Sequence, residues 1–160
     1  MSEPRWLDER EARAWRGYRR MRDLLDLQVG RDLARETGLS WADYSVLVVL
    51  SEAPNHRMRL VDLAGQTLWS KSRLSHQLTR MQRRGLLRRE ECERHPENAR
   101  ATDAVLTPEG LRAIEAAAPR HVESVRRHLL DQLTDDQIDA LGDITEQVVR
   151  HFRVDSEDDG

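Results

Sequence analysis

Cysteine occurs once in these 160 residues, at Cys92. That excludes an intramolecular disulfide framework and fits a reducing compartment. Aromatic residues are scarce, 4% of the chain with a single phenylalanine, while charged residues make up 34%. Such a balance suits helices with long solvated faces better than a β-sandwich. No run of about 18 apolar residues is present. The N-terminal MSEPRWLDER has neither the apolar centre of a signal peptide nor its cleavage pattern, so the expectation is a cytoplasmic protein with no membrane partner. A phosphate-cradling glycine loop, a G-x-S-x-G elbow and a metal-ligand pair with a base between them are all missing, which argues against an enzyme. His121 and His128 lie seven apart on one helix face, but there is no HxxxH and no dense cluster of His, Cys and Glu, so neither a metal nor a cofactor is expected.

What the chain has instead is a concentrated block of positive charge. From Arg57 to Arg89 there are nine Lys/Arg against a single acid, Asp62. The segment therefore carries +8 in a chain of net charge −3, leaving −11 for the rest. Clustering of this kind is the electrostatic footprint of a nucleic-acid surface, and an overall pI of 6.1 conceals it.

The centre of the block is SKSRLSHQLTRMQRRGLLRR, Ser70 to Arg89. At about 100° per residue, Leu74, Leu78 and Met81 form one apolar stripe. Ser72, His76, Thr79, Arg80 and Arg83 fall opposite, with Arg73 and Ser75 on the flanks and no carboxylate among them. Ser70 is a good N-cap, and the free amides of the first turn beside Lys71 suit a phosphate. Gly85 predicts the helix end. A charged face is usually just a solvated face; the unopposed charge favours DNA contact through Ser70, Lys71, Ser72, Arg73, Ser75, His76, Gln77, Thr79, Arg80 and Arg83. Gln77, turned partly toward the flank, is the weakest of these.

Around this helix the chain is predicted to be mainly α. A first helix runs from Leu7 to about Thr37, with Trp15, Tyr18, Met21, Leu25, Val29 and Leu33 at spacings of three and four and Gly38 as its stop. Ser40 opens a second helix with Asp43 in a capping-box position, and Pro54 closes it. Arg57–Arg59 is a short strand, and Leu60 to Trp69, with Leu60, Leu63, Ala64 and Leu68 at helical spacing, is the first helix of a helix-turn-helix. Leu86–Glu93 and Ala101–Leu106 are predicted strands of a hairpin, with Thr102, Ala104 and Leu106 on its apolar face and a polar face opposite. Thr107-Pro108-Glu109 starts a helix that continues to about Leu133 and kinks at Pro119. Thr134 to Gln137 caps a last helix with Ile138, Leu141, Ile144, Val148 and Phe152 in register. The acidic tail from Asp155 is expected to be disordered. The long first helix and the last two carry more apolar surface than one such lobe covers, which predicts a dimer.

This order of elements resembles the MarR (multiple antibiotic resistance regulator) family of bacterial transcription factors. The matching stretches are LSWADYSVLVVLSEAP, LVDLAGQTLWSKSRLSHQLTRMQRRGLLRRE, RHPENARA and LTPEGL. The resemblance implies one domain. Residues 40–106 would be a winged helix-turn-helix DNA-binding lobe, and 7–37 and 108–153 dimerisation helices. It also implies a homodimer on a pseudo-palindromic operator, with each recognition helix in a major groove and each wing tip near a minor groove. Family wings commonly carry Asp-x-Arg; here Asn98-Ala99-Arg100 keeps the minor-groove arginine, Arg100, without the acid. Trp15, Tyr18 and Tyr44 are candidates to line a pocket for a small aromatic or amphipathic ligand, although aromatics at helical spacing are more often plain core. The function implied is a sequence-specific DNA-binding regulator of transcription, a repressor released by a ligand. The alternatives are a winged-helix protein-interaction module and a metal- or redox-responsive regulator. Cys92, flanked by acids as well as arginines, gives the redox alternative little electrostatic support.

Overall fold

The computed structural model describes residues 4–92 and 101–155. The wing tip with Arg100 and the tail beyond Asp155 lie outside the described residues, as does the side chain of Cys92. By its contacts the chain falls into two compact units, the first ending at Ser124 and the second beginning at Val125. No helix among the described residues is long and apolar enough to cross a membrane.

Local signals set most helix ends. The first helix, α1 (Glu9–Thr37), starts two residues later than predicted because Asp8 and Glu11 exchange side-chain-to-amide bonds of 2.8 and 2.9 Å. It ends on Gly38, left-handed at φ 72°. The second, α2 (Trp41–Glu52), carries the Ser40–Asp43 capping box. A 3-10 turn, Pro54–His56, leads to β1 (Arg57–Arg59) and α3 (Leu60–Thr67). Leu68, expected to be apolar filling, instead turns the chain at φ 56° with its side chain 91% exposed. The helix-turn-helix is then completed by α4 (Lys71–Arg83), capped by Ser70.

A hairpin follows, β2 (Leu87–Cys92) and β3 (Ala101–Leu106), antiparallel from Leu87↔Leu106 to Cys92↔Ala101. The short β1 pairs with the other edge of β3, giving the sheet order β1-β3-β2. This central position explains a departure from the expected polar face. Asp103, Ala104, Val105 and Leu106 are all buried, because β3 is covered on both edges and Arg57 reaches across from β1 to Asp103 at 3.0 Å.

The core of the first unit gathers Leu33, Val46, Leu47 and Leu50 with Leu63, Leu74, Leu78, Met81 and Leu87. Each sealed leucine contributes roughly 1.5–3 kcal/mol. The next helix, α5 (Pro108–His128), is fastened at its start to the end of α4. The Thr107 amide donates to Leu86 O at 3.2 Å, its hydroxyl donates to Gly85 O at 2.6 Å, and the Gly110 amide donates to that hydroxyl at 3.0 Å. Contact is so close that a Cβ on Gly110 would lie 1.9 Å from Leu86 O. A glycine is therefore required there.

The α5 helix is continuous through Pro119, whose missing N–H leaves Glu115 O without its usual donor. It ends at His128, five residues before the predicted Leu133. In the second unit Arg126 pairs with Asp131 at 3.1 Å and Gln132 donates to Arg127 O, closing a 3-10 turn, Leu130–Gln132. The last helix, α6 (Asp135–Asp155), opens on the predicted Thr134–Gln137 capping box.

Candidate nucleic-acid interface

The buried stripe of α4 is Leu74, Gln77, Leu78 and Met81, at i, i+3, i+4 and i+7. Lys71, Ser72, Arg73, Ser75, His76, Arg80 and Arg83 are exposed along the rest of the helix, with Ser70 exposed at its cap and Thr79 half-buried. The cap is engaged, since the Ser70 hydroxyl accepts the Arg73 amide at 3.2 Å. With no acid in its first turn, the positive end of the helix dipole remains open to an anion beside Lys71.

Gln77 is corrected from an outward contact to a core residue. Its side chain is 2% exposed, and its amide nitrogen donates to Asp43 Oδ1 at 2.7 Å. A position three residues beyond Leu74 lies on the buried stripe, and that spacing was the available signal. The Gln77 carbonyl in turn accepts from Arg80 Nη2. Asp43 also takes Arg84 at 2.6 Å and the Ser40 amide at 2.9 Å. Burial alone would raise the Asp43 pKa, but the Ser40 bonds and the Arg84 guanidinium outweigh it and hold the carboxyl below its ordinary range.

The charge block is thus partly spent internally. Arg84 is paired with Asp43, Arg57 with Asp103 and Glu90, and Arg88 with Glu90. Among the described residues, Arg59, Lys71, Arg73, Arg80, Arg83 and Arg89 of the block make no ion pair. These are the cations of the block that no described carboxylate neutralises.

Two of them are held by contacts that the sequence did not announce. The Arg73 guanidinium lies 4.3 Å from the Trp69 ring centroid, a cation–π stack that limits where the charge can point. Arg89, on β2, donates to Ser75 O at 2.7 Å and to the Thr79 hydroxyl at 3.1 Å, and its Nε has no partner among the described residues. Arg89 thereby joins the outer flank of α4. The Thr79 hydroxyl also donates to Ser75 O, so it is occupied by its neighbours.

The three aromatics proposed for a ligand fall into two separate clusters. Trp15 and Tyr18 stack on each other at 5.8 Å, both about half exposed. Tyr44 is buried and packs instead against Trp41 at 5.9 Å and His121 at 4.6 Å. Burial, and then the Glu52 charge, raises the Tyr44 pKa; burial lowers that of His121, whose Nδ1 has no hydrogen-bond partner among the described residues. Trp41 and His121 were not anticipated at this site, since His121 joins Tyr44 only through the placing of α5. Among the described residues no group of three His, Cys, Asp or Glu is arranged to hold a metal ion.

A helix-turn-helix with unpaired cations along its second helix, followed by a hairpin, defines a winged-helix DNA-binding module. A MarR family model matches residues 37–100. The structure of AbsC, a MarR family transcriptional regulator from Streptomyces coelicolor, is 43% identical, covering 94% of this chain and 99% of that one at a TM-score of 0.84. Sco3205, a MarR family regulator from the same organism solved in complex with DNA, is 38% identical over 94% of this chain and 92% of that one, at a TM-score of 0.85. The HTH-type transcriptional repressor YetL of Bacillus subtilis (strain 168) is 28% identical over 114 residues, which span 69% of this chain and 66% of YetL. The chain belongs to the MarR family of DNA-binding transcriptional regulators.

Proposed function

We propose that this regulator is a homodimeric repressor that binds a pseudo-palindromic operator through α4 and the wing and is released by a small aromatic or amphipathic ligand. The observation that carries the DNA surface is the row of exposed cations, Lys71, Arg73, Arg80 and Arg83, unopposed by any described carboxylate. Ser70, Ser72, Ser75, His76 and Thr79 supply hydrogen-bonding groups along the same helix, and Arg100 the minor-groove contact. Support for two-fold binding comes from exposed apolar surface among the described residues. Trp15 and Tyr18 on α1, and Ile144, Val148 and Phe152 on α6, are all about half exposed or more. The terminal segments 7–37 and 108–153 are accordingly the dimerisation helices, and 40–106 the DNA-binding lobe. Sco3205 lends its DNA complex to this reading and YetL its activity as a repressor.

For the ligand, the Tyr44–Trp41–His121 cluster is the better site than Trp15 and Tyr18. A buried imidazole nitrogen without a partner is a polar group waiting for one. A ligand releases the repressor only if it prefers a dimer whose two α4 helices are wrongly spaced for successive major grooves.

Footprinting on promoter fragments tests the reading. Two protected half-sites about one helical turn apart are expected, with affinity falling steeply as salt rises. Protection of one unrepeated half-site, or indifference to salt, refutes it.

A further inference from the structure

We propose that Gln77 is a positioning residue for DNA recognition: anchored by Asp43, it sets the direction in which Arg80 presents its guanidinium to the bases. The proposal rests on the DNA-binding reading of α4.

Donors and acceptors fix how the side chains can be arranged. Asp43 is 3% exposed, and its pairing with Arg84 and the Ser40 amide keeps it ionised, so it can only accept. The side of the Gln77 amide that faces Asp43 must therefore be the NH2, as the 2.7 Å bond requires. This leaves one orientation for the carbonyl, which points along the helix and accepts from Arg80 Nη2 one turn further on. A long, exposed arginine otherwise samples many rotamers, at an entropic cost when it docks. A single anchored acceptor removes part of that cost and fixes which edge of the guanidinium remains for a base. The amide cannot turn over, because Asp43 has no proton to give. Asp43 is held in turn from outside α4: Arg84 donates to it and also to Gly38 O at 3.1 Å. The relay thus runs from the start of α2 to the exposed face of α4.

Polarity gives the idea a test that a merely structural glutamine would not pass. Full-length protein is used to enrich a duplex from a randomised pool. Variants are titrated on that duplex and on a scrambled one, with thermal melting recorded for each. Gln77→Met and Arg80→Ala should each lose about tenfold on the enriched duplex, the order expected for one misdirected base contact. The double variant should lose no more than Arg80→Ala alone. Asp43→Asn turns an NH2 toward Gln77, forces its amide over and directs an NH2 at Arg80, so it too should lose about tenfold. Adding Gln77→Glu to Asp43→Asn should restore binding, since the new carboxylate accepts from the introduced amide on one oxygen and from Arg80 on the other. Additive losses in the Gln77→Met, Arg80→Ala pair, or no rescue in a double variant that melts like wild type, overturn the relay. If wild type enriches no duplex at all, the DNA-binding reading fails and the relay with it. Enrichment by wild type followed by indifference to Gln77→Met sinks the relay alone.

Discussion

The α4 and α6 helices carry apolar residues at the same spacing of four and meet opposite fates. In α4, Leu74 and Leu78 are 2% and 0% exposed; in α6, Ile144, Val148 and Phe152 are 60%, 51% and 65% exposed. Around α4 the chain supplies everything a helix face needs, namely α2 and α3, the sheet, and even a buried partner for its one polar core residue. On α6 the same spacing leaves Ile144 and Val148 half exposed or more among the described residues. The first half of α1, with Trp15, Tyr18 and Met21, is open in the same way. A stripe thus announces that a face will be covered, and only packing tells whether the cover comes from the same chain. The lobe buries its own apolar faces, whereas the terminal helices leave theirs exposed, and the proposed second copy would cover them.

The largest effect should come from charging the open stripe. Ile144→Glu with Val148→Glu removes about 3 kcal/mol of apolar burial if a partner covers both, a loss of about 100-fold or more in self-association. Sedimentation should then show a monomer whose lobe still melts cooperatively; a persisting dimer would break the comparison. Next comes a contrast of glycines. Gly110→Ala forces a methyl group onto Leu86 O and should destabilise the lobe by about 2–3 kcal/mol in urea unfolding. Gly142→Ala in α6 meets nothing within 4 Å and should add up to about 1 kcal/mol of helix stability. If Gly142→Ala instead weakens the dimer, the partner's surface passes close to that position, which sharpens the comparison.

Smaller still is Leu68→Gly. The left-handed backbone disfavours leucine by about 1–2 kcal/mol, and glycine's extra chain entropy offsets part of that. A gain of about 0.5 kcal/mol and a slightly higher melting temperature are expected. The smallest effect concerns pH at His121. Its folded-state pKa is lowered by burial, so the unfolded chain binds the proton more readily. Stability is full above the ordinary histidine value of 6.5 and declines as pH falls through it, until the folded form also takes up the proton. His121→Gln should flatten that part of the pH–stability curve.

Most of the fold was legible because its signals are local. Ser40 with Asp43, Ser70, Thr107 with Pro108, and Thr134 with Gln137 each mark a helix start within four residues, and Gly38 and Gly85 mark ends the same way. The cationic face was legible for a related reason, since arginines without nearby acids need no partner to be noticed. What the sequence hid depends on residues far apart. Gln77 is tolerable inside only because Asp43, 34 positions earlier, satisfies it. Arg57 looks free in sequence until β1 brings it beside Asp103. Tyr44 and Trp15 looked alike because spacing identifies a face without naming what packs on it, and His121 joins Tyr44 only through the placing of α5.

The tie between the end of α4 and the start of α5 turns two sequence motifs into one piece of hardware. RRGLL and LTPEG are the two leaves of a hinge plate, pinned by the Thr107 hydroxyl and brought flush by the missing side chain of Gly110. A plate without play makes α4 a lever. Its 13 residues extend roughly 20 Å from the joint, so a tilt of about 5° there carries the far end, where Ser70 and Lys71 lie, through about 1.7 Å. That displacement is enough to undo a hydrogen bond at the tip while the joint itself hardly deforms. Small rotations of α5 are therefore magnified at the far end of α4.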